Sequence, residues 1–259
     1  GYGITFDGAF HGRTLGALSL NRSKHVQRRW YPEIPKILTA EFNDEDWSVN
    51  LRVDPEEIAF VIVEPFQGEG GYVPATQGFM EETRHFTEVH DIPLIIDEIQ
   101  AGLGRTGEWW CFEHYDIVPD IITAGKALQI SAVIGKEKYF PVEKGRISGT
   151  WAEGNILNSA LGYMVIDIIR RDNLLDNAED LGEYFRNELR KLGLFDHVRG
   201  MGLMIGVTPI QSDRRNEMVE ASAQKGLLVI GCGVASIRFL PPLNINKHEI
   251  DVCIENSKR

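Results

Sequence analysis

Ile58-Ala59-Phe60-Val61-Ile62-Val63 is an unbroken apolar run, rich in β-branched residues, that stops at Glu64-Pro65. A run of this kind is a strand buried on both faces. Gly78 to His90 follows at helical spacing, with Phe79, Thr83, Phe86 and Val89 recurring on one side. Pro93-Leu94-Ile95-Ile96 is a second buried strand and ends in Asp97-Glu98. Asp120-Ile121-Ile122-Thr123 is a third and Ser131-Ala132-Val133-Ile134 a fourth. Strands apolar on both faces and separated by helices predict a parallel sheet in an α/β domain.

The reading extends outward in both directions. Gly1-Tyr2-Gly3-Ile4-Thr5-Phe6 reads as the middle of a strand, with neither an initiator Met nor a signal peptide, so an N-terminal segment is expected to be missing. After Asn155 the texture changes. Leu157 to Arg171 is a strongly apolar helix, and Leu175 to Lys191 an amphipathic one with Gly193 as its stop. A strand at Gly202–Val207, a helix at Arg214–Lys225, strands at Leu227–Ile230 and Ser236–Phe239 and a helix starting at Lys247 complete a small α+β domain. The boundary falls in the apolar helix, giving a truncated α/β domain over 1–160 and a linking helix with the small domain over 161–259.

Composition narrows the function classes. The chain has 259 residues, 27 Lys+Arg against 38 Asp+Glu, and a net charge of −11. That balance argues against broad binding to nucleic acid or anionic membranes, which rests on clustered basic charge. The 3 cysteines, Cys111, Cys232 and Cys253, lie far apart and form neither a disulfide framework nor a zinc site. They fit a reducing compartment, and a cytoplasmic location is expected.

In open parallel sheets the chemistry lies beyond the carboxyl ends of the strands. Three strand ends there carry Glu64, then Asp97 with Gln100, then Lys126. Asp97 and Lys126 directly follow apolar strands, where a charge requires a partner. Gly102, Gly104 and Gly107 match a dinucleotide fingerprint in spacing only. Five residues, two of them carboxylates, separate them from the strand, and Trp109-Trp110-Cys111-Phe112 is a poor helix start, so that reading is rejected.

The motifs together resemble the class III, pyridoxal-phosphate-dependent aminotransferases, the ornithine, acetylornithine, 4-aminobutyrate and lysine ω-aminotransferase group. The resemblance rests on Ala9-Phe10-His11-Gly12-Arg13-Thr14, Glu64-Pro65-Phe66-Gln67-Gly68-Glu69-Gly70-Gly71, Asp97 through Gly107 and Gly125-Lys126, in the family's order. Arg146-Ile147-Ser148-Gly149-Thr150-Trp151 and Ser236-Ile237-Arg238-Phe239-Leu240-Pro241-Pro242 complete it. It covers essentially the whole chain. It implies the fold type I of pyridoxal-phosphate-dependent transferases, a mostly parallel large domain plus a small C-terminal α+β domain.

The resemblance also implies roles. Lys126 forms the Schiff base with the cofactor and shuttles a proton. Asp97 pairs with the pyridine nitrogen, Gln100 bonds the phenolic oxygen, Phe10 stacks on the ring, and His11 lines the site or supports Phe10. Arg238 takes a carboxylate of a dicarboxylic acceptor such as 2-oxoglutarate, and Glu69 neutralises it in the other half-reaction. Arg13 is a candidate for the donor's distal carboxylate. Thr150 reaches the cofactor phosphate of a neighbouring subunit, which implies a homodimer with shared sites. The implied reaction is ping-pong transfer from an ω-amino donor through an internal aldimine. An amino-acid racemase or α-aminotransferase of the same family is one competing reading, and an incomplete or non-catalytic homologue another. Two departures stand out. Ala127-Leu128-Gln129-Ile130-Ser131-Ala132-Val133 replaces the usual glycine-rich run, and Ala152-Glu153-Gly154-Asn155 replaces a Gly-Gly-Asn. Gln129 and the Thr150-Trp151 pair lean toward the lysine 6-aminotransferase branch.

Overall fold

The computed structural model describes residues 1–147, 149 and 154–257. In chain order the first half contributes β1 (Tyr2–Phe6), α1 (Leu15–Leu20), β2 (Ile37–Ala40), β3 (Ile58–Val63), the short β4 (Phe66–Gln67) and β5 (Val73–Pro74), α2 (Gln77–Val89), β6 (Leu94–Asp97), β7 (Ile121–Ala124) and β8 (Ala132–Gly135). The second half adds α3 (Ile156–Arg171), α4 (Leu174–Lys191), β9 (Phe195–Met201), β10 (Met204–Pro209), α5 (Arg215–Gln224), β11 (Ile230–Cys232), β12 (Ser236–Phe239) and α6 (Lys247–Ser257). No described helix is long and apolar enough to cross a membrane.

The larger sheet has the order β2-β1-β3-β6-β7-β8. All its pairs are parallel except β7 with β8, which is antiparallel. The departure from an all-parallel sheet has a simple cause. The link from Ala124 to Ala132 is too short for a crossover, which needs roughly a dozen residues. β3, β6 and β7 are direct neighbours, so the three chemically loaded strand ends lie side by side.

Burial explains why these segments adopt these forms. Val61, Val63, Leu94 and Ile96 are fully sequestered, as β-branched and leucine-rich central strands require. Helix α2 starts at Thr76, whose hydroxyl accepts from Phe79 N at 3.3 Å, and turns Phe79, Met80, Thr83 and Phe86 inward. Phe79 and Phe86 meet Phe6 and Trp47 edge-on, at centroid distances of 4.9 and 5.1 Å.

The smaller sheet runs β11-β12-β10-β9, antiparallel throughout. Its core gathers Phe185 and Leu189 from α4, Ile205 and Val207 from β10, Ile237 and Phe239 from β12, and Ile250 and Ile254 from α6. β10 also serves the other core. Its Met204, with Cys232 of β11, packs into the same cluster as Ile4, Phe66 and Leu94.

The glycine run after β6 forms a turn against α4. Leu103, Gly104 and Gly107 have φ of 56°, 84° and 102°. A Cβ on Gly104 would lie 2.9 Å from Leu175 Cδ2, and one on Gly107 3.3 Å from Glu179 Cβ. Gly202 lies on the same seam, with Leu203 N donating to Arg105 O at 3.0 Å. Gly182 of α4 approaches so closely that a Cβ there would sit 2.0 Å from Gly202 O.

Candidate active site

Asp97 ends β6 and is buried. Its Oδ2 receives His11 Nδ1 at 2.8 Å, and its Oδ1 accepts from Thr123 Oγ1 at 3.0 Å and Ile99 N at 3.1 Å. Three elements therefore fix one carboxylate. His11 is in turn positioned by Asn21, whose Oδ1 accepts from His11 N at 2.7 Å while its Nδ2 donates to Gly12 O at 2.8 Å. His11 Nε2 is buried with no hydrogen-bond partner among the described residues.

Lys126 follows β7 at the start of a single 3-10 turn, with φ of 24°, unusual for a residue with a side chain. Its side chain is exposed to a cleft of about 440 Å³ shared with Phe10, Glu69, Gln100, Arg105 and Arg238. Desolvation by the surrounding protein holds its ammonium below the usual lysine range, outweighing the opposing pull of Asp97 and Glu64. A lysine displaced in this direction is better suited to nucleophilic and proton-transfer work.

In the same cleft, Gln100 Oε1 accepts from the buried Tyr72 hydroxyl at 2.9 Å and lies 3.5 Å from Arg238 Nη1. Arg238, on β12, contacts Glu69 Oε1 at 3.1 Å and lies over the Tyr72 ring at 5.6 Å. Glu69 Oε2 takes a second cation, Lys24 Nζ, at 2.9 Å. Burial pushes the Glu69 carboxyl up, but Lys24 and Arg238 together outweigh it and leave it below the ordinary value. Arg199 of β9 pins the loop that carries Glu69, donating to Tyr72 O at 2.8 Å, to Gly71 O and to Ser236 Oγ.

Two other carboxyls are buried nearby. Glu64 accepts from Phe10 N at 2.8 Å and Gly68 N at 3.1 Å, tying two loops together. Burial raises it to about 7, with His11 opposing the rise. Glu98 accepts from Cys111 N at 3.1 Å and Phe112 N at 2.9 Å, and burial likewise raises it to about 7.

Of the residues singled out in the sequence, Phe10, Gln100, Lys126, Glu69 and Arg238 line one cleft, with Asp97 and His11 joined behind it. Arg13 is exposed and lies over the Phe10 ring at 5.5 Å. Thr150 lies outside the described residues. Sequence reasoning passed over Tyr72, Lys24, Asn21, Thr123 and Arg199. Only Tyr72 carried a signal, since it directly follows Glu69-Gly70-Gly71.

A lysine amine and the Glu69–Arg238 ion pair share one cleft at the ends of the parallel strands, next to the anchored carboxylate of Asp97. The chain belongs to the class-III aminotransferase family, whose profile matches residues 2–259. Members of this family depend on pyridoxal phosphate. The chain is 37% identical to the acetylornithine aminotransferase of Archaeoglobus fulgidus over 257 residues, covering 97% of this chain and 66% of that protein. It is 35% identical to the succinylornithine transaminase of Citrobacter koseri, covering 95% of this chain and 63% of that protein. The lysine aminotransferase of M. tuberculosis superposes with a TM-score of 0.92 at 27% identity, over 99% of this chain and 65% of that structure. The chain thus spans just under two thirds of the length of the relatives it matches.

Proposed function

We propose that the protein containing this chain transfers the amino group of an ω-amino donor to 2-oxoglutarate by a ping-pong scheme. The donor is of the 4-aminobutyrate, ornithine, acetylornithine or lysine type. The 35–37% identity to enzymes named for acetylated and succinylated ornithine favours an N-acylated ornithine. One observation carries this reading: Lys126, Gln100 and the Glu69–Arg238 pair converge on a single cleft in front of Asp97.

Pyridoxal phosphate supplies a carbonyl carbon for attachment and an electron sink when bound. The donor set fits it. Lys126 would hold it through Nζ, and the same atom would accept and return a proton. Asp97 would pair with the ring nitrogen and favour its protonated form, and the bonds from His11, Thr123 and Ile99 hold the carboxylate in place for that role. Gln100 has its carbonyl oxygen committed to Tyr72, so its amide N–H is the group left to face the phenolic oxygen. Phe10 offers an apolar face, while Thr150 takes the phosphate across a homodimer interface. Arg13 takes the donor's distal carboxylate. Arg238 binds the acceptor's carboxylate as a fork, and Glu69 neutralises it when the donor brings none there. We place the division between the large and the C-terminal domain in α3, near residue 160.

The test is borohydride trapping of pyridoxal phosphate on the full-length protein and on Lys126→Ala, with the label located by mass spectrometry. A stoichiometric label on Lys126 that is lost in the variant, together with glutamate formed from 2-oxoglutarate and an ω-amine, is the expected result. No label in either protein sinks the reading. Turnover that needs no oxo-acid acceptor would replace it with a racemase.

A further inference from the structure

Glu69 is held by two cations, one on each oxygen. Oε1 meets Arg238 at 3.1 Å and Oε2 meets Lys24 at 2.9 Å. The two partners differ in what else they do. Arg238 lies over Tyr72 and close to Gln100, and its Nε is buried with no partner among the described residues. It therefore has donors to spare for an incoming carboxylate. Lys24 lies outside the cleft lining, half exposed, and Glu69 is its ion-pair partner among the described residues.

Lys24 is firmly placed. It follows a loop in which Arg22 N and Ser23 N both donate to Ala9 O, at 2.7 and 3.0 Å. Asn21, at the start of that loop, also positions His11. The backbone that carries Lys24 is thus fixed relative to the cleft, and its ammonium is held there by Glu69. A small rotation of Glu69 can release Arg238 while the contact to Lys24 is kept.

We propose that Lys24 is the counter-charge that receives Glu69 when Arg238 takes up a substrate carboxylate, so that it biases the site toward the dicarboxylic acceptor. This rests on the Glu69–Arg238 exchange proposed above. Without Lys24, a carboxylate entering at Arg238 would have to displace Glu69 toward no compensating charge. A partly buried carboxylate then stays on the arginine and competes with the acceptor. The donor half-reaction has Glu69 on Arg238 already and does not need Lys24. Lys24 is a positioning residue, since it acts through Glu69.

The experiment uses the full-length holoenzyme and its Lys24→Met and Lys24→Arg variants. Two readouts are taken: the Kd of glutarate, an unreactive dicarboxylate, by calorimetry, and KM for 2-oxoglutarate against KM for the ω-amino donor. A partly exposed ion pair contributes up to about 1 kcal/mol, so Lys24→Met should raise both the glutarate Kd and the acceptor KM about fivefold. The donor KM should stay within twofold, and Lys24→Arg should restore both dicarboxylate values. Unchanged glutarate affinity in Lys24→Met, or donor and acceptor KM rising together, overturns the proposal. A failure of the unaltered protein to transaminate refutes the amino-transfer reading itself, and the role of Lys24 falls with it.

Discussion

Replacing Gly68 by alanine tests the role of Gln100 with a single added methyl. The new Cβ would lie 1.9 Å from Gln100 Nε2 and 2.7 Å from its Cδ, whereas ordinary contact begins at 3.4 Å. The backbone at Gly68 needs no left-handed conformation, so the strain falls on the Gln100 side chain, which can swing aside. Swinging breaks the 2.9 Å bond from Tyr72, whose side chain is fully buried and whose hydroxyl burial keeps protonated. A buried donor left without a partner costs about 1–3 kcal/mol. At about 2 kcal/mol a chain of this size should melt roughly 4–8 °C lower. On the proposed role of Gln100, kcat should fall by about tenfold, because its amide is turned out of the cleft while Lys126 and Asp97 are untouched. Calorimetry gives the first number and steady-state kinetics the second. A Gly68→Ala protein with normal kcat and a crystallographically displaced Gln100 would refute the assignment of Gln100. A loss of Tm well beyond 10 °C would show that the backbone, not the side chain, absorbs the clash.

Two further outcomes follow from groups outside the cleft. Glu98 is raised from its ordinary 4.5 to about 7, so the folded chain binds that proton more tightly than the unfolded one. Its contribution to stability is therefore lost as pH rises from about 4.5 to about 7, and the penalty is constant above that. Glu98→Gln should melt with a flatter pH profile between pH 5 and 8 than the unaltered chain, and parallel profiles by circular dichroism would contradict the shift. Gly182→Ala sets helix propensity against packing. Alanine gains about 1 kcal/mol in a helix interior, but its methyl would sit 2.0 Å from a backbone oxygen that cannot move aside, and overpacking of this kind costs about 3 kcal/mol. Urea titration should therefore show a net loss, and a stabilised variant would mean that α4 is free to retreat.

The elements legible in the sequence were those whose residues obey one dominant constraint. β3, β6 and β7 are apolar on both faces, and α2 and α4 carry periodic apolar stripes, so each lies within a residue or two of its expected place. β9 was missed because Phe195-Asp196-His197-Val198-Arg199-Gly200-Met201 mixes polar and apolar residues, as an edge strand can. β2 was missed because it is short and half exposed. The strand expected at Leu227–Ile230 lies at Ile230–Cys232, where pairing with Ser236–Ile237–Arg238 decides the register. In the site, Glu69 and Arg238 could be paired from their types and the family resemblance. Lys24 could not, because nothing in an Asn-Arg-Ser-Lys loop shows that it folds back onto a carboxylate 45 residues away. Arg199 was hidden for the same reason, since its partners are the backbone carbonyls of Gly71 and Tyr72 and the hydroxyls of Thr208 and Ser236.

The sharing of β10 between two cores bears on the order in which the chain can mature during synthesis. Met204 and Cys232 belong to the cluster built on Ile4, Phe66 and Leu94, although more than a hundred residues separate them from those strands. When the ribosome has released β8, the larger sheet has all its described strands, but the cluster packed on it lacks Met204 and Cys232. Until Cys232 emerges, that cluster is incomplete. A nascent chain stalled in this interval presents apolar surface of the kind that chaperones bind. Slow translation between α3 and β11 would therefore carry a greater risk of aggregation than the same delay after β12.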